Sequence, residues 1–220
     1  MKRFPFDVVV FDLDGTLLDT APDLTTAVNH MLGEIGRAQL SQEAVTRMIG
    51  GGMRLLMERA LTATGAVTSD LVNQALPMFL DYYEKHLAAK TRPYPGANRA
   101  LADLQARGAK LAICSNKPER LTRKLLQAFA WNDHFAAVVG GDTLKARKPD
   151  PSVFWETIRR AGGGRGVLVG DSIMDVETAR AAGMPSLIMS FGYRDRPAEE
   201  LGATRVITTF DQLLSTLLEL

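Results

Sequence analysis

"VVVFDLDGTLLDT", residues 8–20, places two aspartates, Asp12 and Asp14, directly behind an unbroken apolar run. Val8 to Phe11 is too short for a helix and apolar on both faces. It therefore predicts a strand buried on both sides, the kind found in a parallel sheet covered by helices. Two like charges at the end of such a strand repel one another and cost solvation free energy, so the position calls for a use that offsets the cost. Leu13 between them can turn inwards while both carboxylates face the same side. Gly15 allows the chain to turn tightly, and Thr16 can cap or brace that turn.

Working outward, similar apolar runs occur at residues 110–115, 137–141, 166–171, 186–190 and 205–210. Helical patterns separate them at residues 97–107, 119–129, 152–161, 174–182 and 210–220. This alternation predicts βαβ units, hence an α/β fold: a Rossmann-like parallel sheet core with helices on both faces. Residues 20–92 break the rhythm, offering helical patterns and no convincing strand. Among them, Ser41 is a candidate helix cap, Ser69 is the expected cap of a longer helix running towards Ala89, and Pro77 is expected to kink it. The expected organisation is a catalytic core of residues 1–19 and 93–220, with an all-helical cap domain of residues 20–92 inserted after the first strand.

Composition narrows the function. The chain has 220 residues and a formal net charge of +1, which gives no electrostatic case for nucleic acid or an anionic membrane as partner. No segment approaches the roughly 20 apolar residues of a membrane span. The first ten residues lack the long apolar stretch of a signal peptide, because their apolar run meets Asp12. The single cysteine, Cys114, lies in an apolar run and reads as a packing residue. His30, His86 and His134 show no metal-ligand spacing. The expectation is a cytoplasmic protein, monomeric or homodimeric.

In an open parallel sheet, ligands bind beyond the carboxyl ends of the strands. The strands end here in Asp12-Leu13-Asp14-Gly15-Thr16, in Ser115-Asn116-Lys117, and in Gly170-Asp171-Ser172 with Asp175 one turn on; "KARKPDP" adds Lys148 ahead of a helix. If these ends converge, several carboxylates meet a hydroxyl and a cation. Such a carboxylate cluster suits Mg²⁺, which offsets the repulsion and lets one carboxylate attack an electrophile while the other handles protons. Ser115 and backbone N–H groups near Gly15 and Asn116 can hold phosphoryl oxygens, and Lys148 can neutralise charge developing on them. Phosphoryl transfer is the chemistry these parts suit.

"DLDGTLLDT", "CSNK", "KPDP" and "GDSIMD", in that order, resemble the four motifs of the haloacid dehalogenase-like hydrolase superfamily. The resemblance implies a Rossmann-like core with its first strand central and a helical cap. By motif, Asp12 would be the nucleophile that forms an aspartyl-phosphate and a Mg²⁺ ligand. Asp14 would carry the proton and offer its backbone carbonyl to the metal. Ser115, Asn116 and Lys148 would bind phosphate, Asp171 would complete the metal site, and Asp175 would orient Lys148 or a metal-bound water. A carboxylate at position 14 separates phosphatases and phosphomutases from the dehalogenases.

The cap stretch "MIGGGMRLLMERAL" (residues 48–61) offers Gly51, Gly52 and Arg54 at a helix start, where a second anionic group on the substrate can be received. This segment and the overall length resemble bacterial phosphoglycolate phosphatases, which implies hydrolysis of phosphoglycolate to glycolate and phosphate. A phosphatase or phosphomutase for a sugar phosphate, nucleotide or pyrophosphate is the alternative. A receiver-type signalling domain also uses aspartates, a hydroxyl and a lysine, but it has no place for a helical insertion.

Overall fold

The computed structural model describes residues 4–220; the first three residues of the expected core segment lie outside the described residues. Six parallel strands form one sheet. In chain order the chain runs through β1 (Val8–Phe11), β2 (Leu18–Asp19) and the helices α1 (Ala21–Glu34), α2 (Gln42–Thr46), α3 (Met53–Thr64) and α4 (Ser69–His86). It continues with β3 (Arg92–Pro93), α5 (Ala97–Ala106), β4 (Lys110–Cys114), α6 (Glu119–Ala128), β5 (Phe135–Val139) and α7 (Pro151–Arg160). The remainder is β6 (Gly166–Gly170), α8 (Ile173–Ala181), β7 (Ser186–Met189), β8 (Arg205–Ile207) and α9 (Leu213–Leu218).

The sheet order is β5-β4-β1-β6-β7-β8, so β1 is central and pairs with β4 on one side and β6 on the other. Alternation along β1 explains why it is apolar throughout. Val9 and Phe11 face the layer that holds Leu101, Leu125 and Leu217, from α5, α6 and α9. Val8 and Val10 face the layer that holds Phe154, Ile158 and Ala179, from α7 and α8. The sheet order reverses direction at β1, which opens a crevice at its carboxyl end. Cys114, at the end of β4, is buried in this core, and burial pushes its thiol up to about 11. No helix among the described residues is long and apolar enough to cross a membrane.

The segment between β2 and β3 is helical, and its apolar faces (Val28, Met31, Val45, Met57, Phe79) pack together in one layer continuous with Leu13 and Leu17 of the first strand's loop. Where it leaves and returns, β2 and β3 pair antiparallel, Leu18 with Pro93 and Asp19 with Arg92. This two-residue pairing is too short to leave an alternating pattern, which is why residues 20–92 and their flanks read as free of strands. Beside it, buried Asp23 accepts the N–H groups of Lys90 and Thr91 (2.8–3.0 Å) and the Thr91 hydroxyl (2.8 Å).

Local details differ in small ways from expectation. Ser41 does cap α2, but α4 is capped by Thr68, whose hydroxyl accepts the Leu71 N–H; Ser69 is its first helical residue. The helix runs unbroken through Pro77, since one missing N–H does not end it. The C-terminal helix starts three residues late, after a 3₁₀ turn over Phe210–Gln212 in which the Gln212 side chain reaches back to Thr208 and Thr209. Asp23→Ala would strand buried N–H groups at the return of the helical segment. The expected loss is about 2–4 kcal/mol of unfolding free energy in urea, with Asp23→Asn losing less.

Candidate active site

The carboxyl ends of β1, β4 and β6 bring the expected residues together. The Asp12 N–H continues the sheet to the Val169 carbonyl (2.9 Å), which carries its carboxylate past the end of β1. Leu13 is fully buried, and its N–H donates to Asp12 Oδ1 (2.7 Å). Lys148 Nζ sits between Asp12 Oδ2 (2.9 Å) and Asp175 Oδ1 (2.6 Å). The other oxygen of Asp175 accepts the N–H groups of Asp171 and Ser172 and the Ser172 hydroxyl, closing a capping box at the start of α8. Both oxygens of Asp175 are thus engaged in orienting its neighbours.

Asp171 differs from the other acids. Its Oδ1 accepts the Thr16 hydroxyl (2.7 Å) and its Oδ2 the Tyr193 N–H (2.6 Å), and no ion pair among the described residues involves it. Gly15 turns with φ +82° against this carboxylate, and a Cβ there would lie 2.5 Å from Asp171 Oδ2. Tyr193 also ties the site to the start of the helical segment, its hydroxyl donating to Asp19 Oδ1 (2.6 Å) and accepting the Ala21 N–H (2.9 Å).

The electrostatics follow from this packing. Burial pushes the Asp12 carboxyl up to about 6, with Lys148 pulling against it and Asp175 adding to the rise. Burial likewise raises Asp171, reinforced by Asp175 and Asp12. Burial pulls the Lys148 ammonium down, but Asp12 and Asp175 push it further up, so it stays charged. Asp12, Asp171 and Asp175 each offer an oxygen within 4.8 Å of the others, all buried, against the single cation Lys148. This cluster has an excess of negative charge and hard oxygen donors, and a divalent cation fits it.

Asp14, two residues on, points away from that cluster. It accepts the Thr20 hydroxyl (2.7 Å) and both its oxygens meet Lys117 Nζ (2.9 and 3.0 Å). Asp12, Asp14, Ser115, Asn116 and Lys117 line one wall of a cavity whose opposite wall is Leu24, Ile49, Gly50, Gly52, Met53 and Leu56 of the helical segment. Asn116 Nδ2 donates to the carbonyls of Gly50 (3.1 Å) and Lys148 (3.2 Å), leaving its buried Oδ1 without a partner. Gly52 caps α3 at the cavity edge, whereas Gly51 lines a neighbouring cleft with Arg47, Arg59 and Arg194. Arg54 is not brought to the cavity; its guanidinium engages Glu58 and Asn73 on the exposed side of α3, because helical spacing puts it on the face opposite Met53 and Leu56.

Lys117, Tyr193 and Thr20 also belong to the site, and so does Tyr83, whose hydroxyl meets Lys117 Nζ (2.8 Å). Only Lys117 carried a signal, as a cation three residues past the end of a strand that points into the crevice. Thr20 lies six residues beyond Asp14 with no pattern of its own, and Tyr193 and Tyr83 reach the site from distant segments.

This arrangement defines a hydrolase of a known kind. The family model for haloacid dehalogenase-like hydrolases matches residues 9–189, and the chain belongs to that family. It is 43% identical over 216 residues to a phosphoglycolate phosphatase of Mesorhizobium japonicum, covering 96% of this chain and 95% of that one. A phosphoglycolate phosphatase of Rhodospirillum rubrum is 43% identical over 212 residues, 93% of this chain and 88% of its own. The crystal structure of a predicted phosphoglycolate phosphatase from Haemophilus somnus superposes with a TM-score of 0.91 at 30% identity, covering 96% of this chain and 97% of that one.

Lys148→Met would leave Asp12 and Asp175 facing each other without a cation. Because the folded value of Asp12 lies above its unfolded one, ionising it opposes folding, and that cost grows as pH rises through about 6. Urea denaturation without divalent cations should show a loss of about 3–5 kcal/mol at pH 8 and a clearly smaller loss at pH 5.

Proposed function

We propose that the protein is a Mg²⁺-dependent phosphatase that hydrolyses phosphoglycolate to glycolate and phosphate through an aspartyl-phosphate on Asp12. The observation that carries this reading is the buried Asp12 carboxylate beside Lys148 and Asp171, with a second carboxylate, Asp14, two residues on at the same cavity. The relatives' activity supports the substrate class.

In the first half-reaction an Asp12 oxygen attacks phosphorus, the ester P–O bond breaks, and Asp14 gives its proton to the departing oxygen. In the second, Asp14 takes a proton from water as that water attacks phosphorus, and the bond to Asp12 breaks to release phosphate. Lys148, Ser115 and the backbone around Asn116 hold the phosphoryl oxygens throughout. Asp12, Asp171 and the Asp14 carbonyl would hold Mg²⁺, with Asp175 keeping Lys148 in place; when bound, the ion neutralises charge on the cluster and polarises the phosphoryl group. Residues 20–92 act as a cap over a core made of 1–19 and 93–220, admitting substrate and then excluding water. The start of α3 at Gly52 receives the substrate carboxylate. The single buried cysteine fits a cytoplasmic setting.

A phosphate-release screen over small phosphate esters with Mg²⁺ should rank phosphoglycolate first in kcat/KM, and a sugar phosphate or nucleotide well ahead of it would overturn the substrate. Asp12→Asn should lower kcat by at least about 10³-fold with its melting profile kept. Steady turnover by that variant would remove the nucleophile assignment.

The raised Asp12 carboxyl adds a pH dependence. Below about 6 it is protonated and must lose that proton before it can ligate, so Mg²⁺ binding should weaken by about tenfold per pH unit for each proton displaced. Calorimetric titration with Mg²⁺ at pH 5 and pH 7.5 checks the sign: the tighter binding is expected at pH 7.5.

A further inference from the structure

After β4 the chain spends three successive residues on three different tasks. Ser115 lines the cavity beside Asp12, Asn116 reaches the Gly50 carbonyl, and Lys117 crosses from the core to α4. Lys117 is only 1% exposed, so its ammonium is held out of water. Burial is the largest single influence and pulls it down, but Asp14 and Tyr83 together push it up by more, leaving it above the ordinary lysine value and charged. Its Nζ contacts Asp14 Oδ1 (2.9 Å), Asp14 Oδ2 (3.0 Å) and the Tyr83 hydroxyl (2.8 Å), and it lies 4.7 Å from the centre of the Tyr83 ring.

An ammonium has three N–H groups, and these three oxygens use them all, so none is left to bind substrate. Burying such a charge is costly, and it persists only where the partners are good. Those partners lie in two different parts of the chain: Asp14 in the loop after β1, Tyr83 on α4 of the helical segment. Tyr83 is itself fully buried and fixed by stacking on Phe79 (5.6 Å between centres, 9° between planes). On the opposite side, Thr20 holds Asp14 Oδ1.

We propose that Lys117 and Tyr83 form a positioning pair through which the seating of the helical segment on the core fixes the orientation of the Asp14 carboxylate. The inference rests on Asp14 being the proton carrier. With α4 seated, the ammonium has its third partner and clamps both oxygens of Asp14. With α4 withdrawn, the clamp loses that partner, and Asp14 is free to turn. Proton transfer is thereby tied to the enclosed state of the cavity, in which bulk water is kept from the aspartyl-phosphate.

Steady-state kinetics on two substrates test this. One is the alkyl phosphate that the phosphate-release screen ranks first. The other is p-nitrophenyl phosphate, whose departing oxygen needs little proton assistance. Asp14→Asn should lose more kcat/KM on the alkyl ester than on the aryl ester. Tyr83→Phe, which keeps the ring and removes one hydroxyl, should lower kcat on the alkyl ester about fivefold, leave KM within about twofold, and show the same substrate asymmetry. Lys117→Met should lose about 10²-fold in kcat, Lys117→Arg should recover a good part of it, and Tyr83→Phe should cost nothing further in the Lys117→Met background.

An unchanged kcat in Tyr83→Phe, equal losses on both esters, or independent effects that multiply in the double variant would overturn the positioning pair. Should Lys117→Met fail to fold, Tyr83→Phe alone decides between these outcomes. Equal losses of Asp14→Asn on the two esters would instead remove the proton-carrier role of Asp14, and the proposal with it.

Discussion

Two buried lysines hold three of the four aspartates at the carboxyl edge of the sheet, and the rest of the structure is arranged to make that possible. Lys148 spans Asp12 and Asp175, while Lys117 clamps Asp14. Neither ammonium is accessible to water, so each interaction is strong and each unpaired charge would be costly. Asp171 is the acid left with a hydroxyl and an N–H instead of a cation. That residual negative charge, beside the Asp12 carboxylate, is the physical reason why a divalent cation belongs in the account of the site.

The sheet serves this charge cluster. A central strand apolar on both faces can be buried between two helical layers, and the reversal of strand order at β1 leaves its carboxyl end open. Only there can carboxylates sit at the edge of a dry interior and still be approached. The helical segment completes the enclosure. It adds an apolar wall of Leu24, Ile49, Met53 and Leu56 opposite the polar one. It is tied to the core near the cavity through Asn116, Lys117 and Tyr193, and at its return through Asp23.

Much of this was legible in the chain itself, for a local reason. An apolar run followed at once by polar residues marks both a buried strand and its open end, so the chain alone puts Asp12, Asp14, Ser115, Asn116 and Asp171 at one edge of the sheet. The α/β class followed from the same runs. What escaped notice was either too short or too distant. The β2–β3 pair has two residues a strand, and Tyr193 lies 22 positions beyond Asp171, with no periodic pattern linking them. Arg54 shows the converse failure: its residue type suited an anion site, but the helical repeat turned it to the outer face of α3.

The sequence by itself therefore determined which strands are buried, where they end and which charged groups stand at those ends, because these depend on neighbours a few positions away. The tertiary structure alone decided how the charges pair. Lys117 and Lys148 are similar lysines near similar aspartates, yet one is assigned to Asp14 with Tyr83 and the other to Asp12 with Asp175. That choice turns on distances of a few ångströms between segments more than a hundred residues apart in the chain, set by how the helical segment and the sheet pack. Coulomb interactions in a dry site are decided at that scale, and no pattern of residue types encodes it.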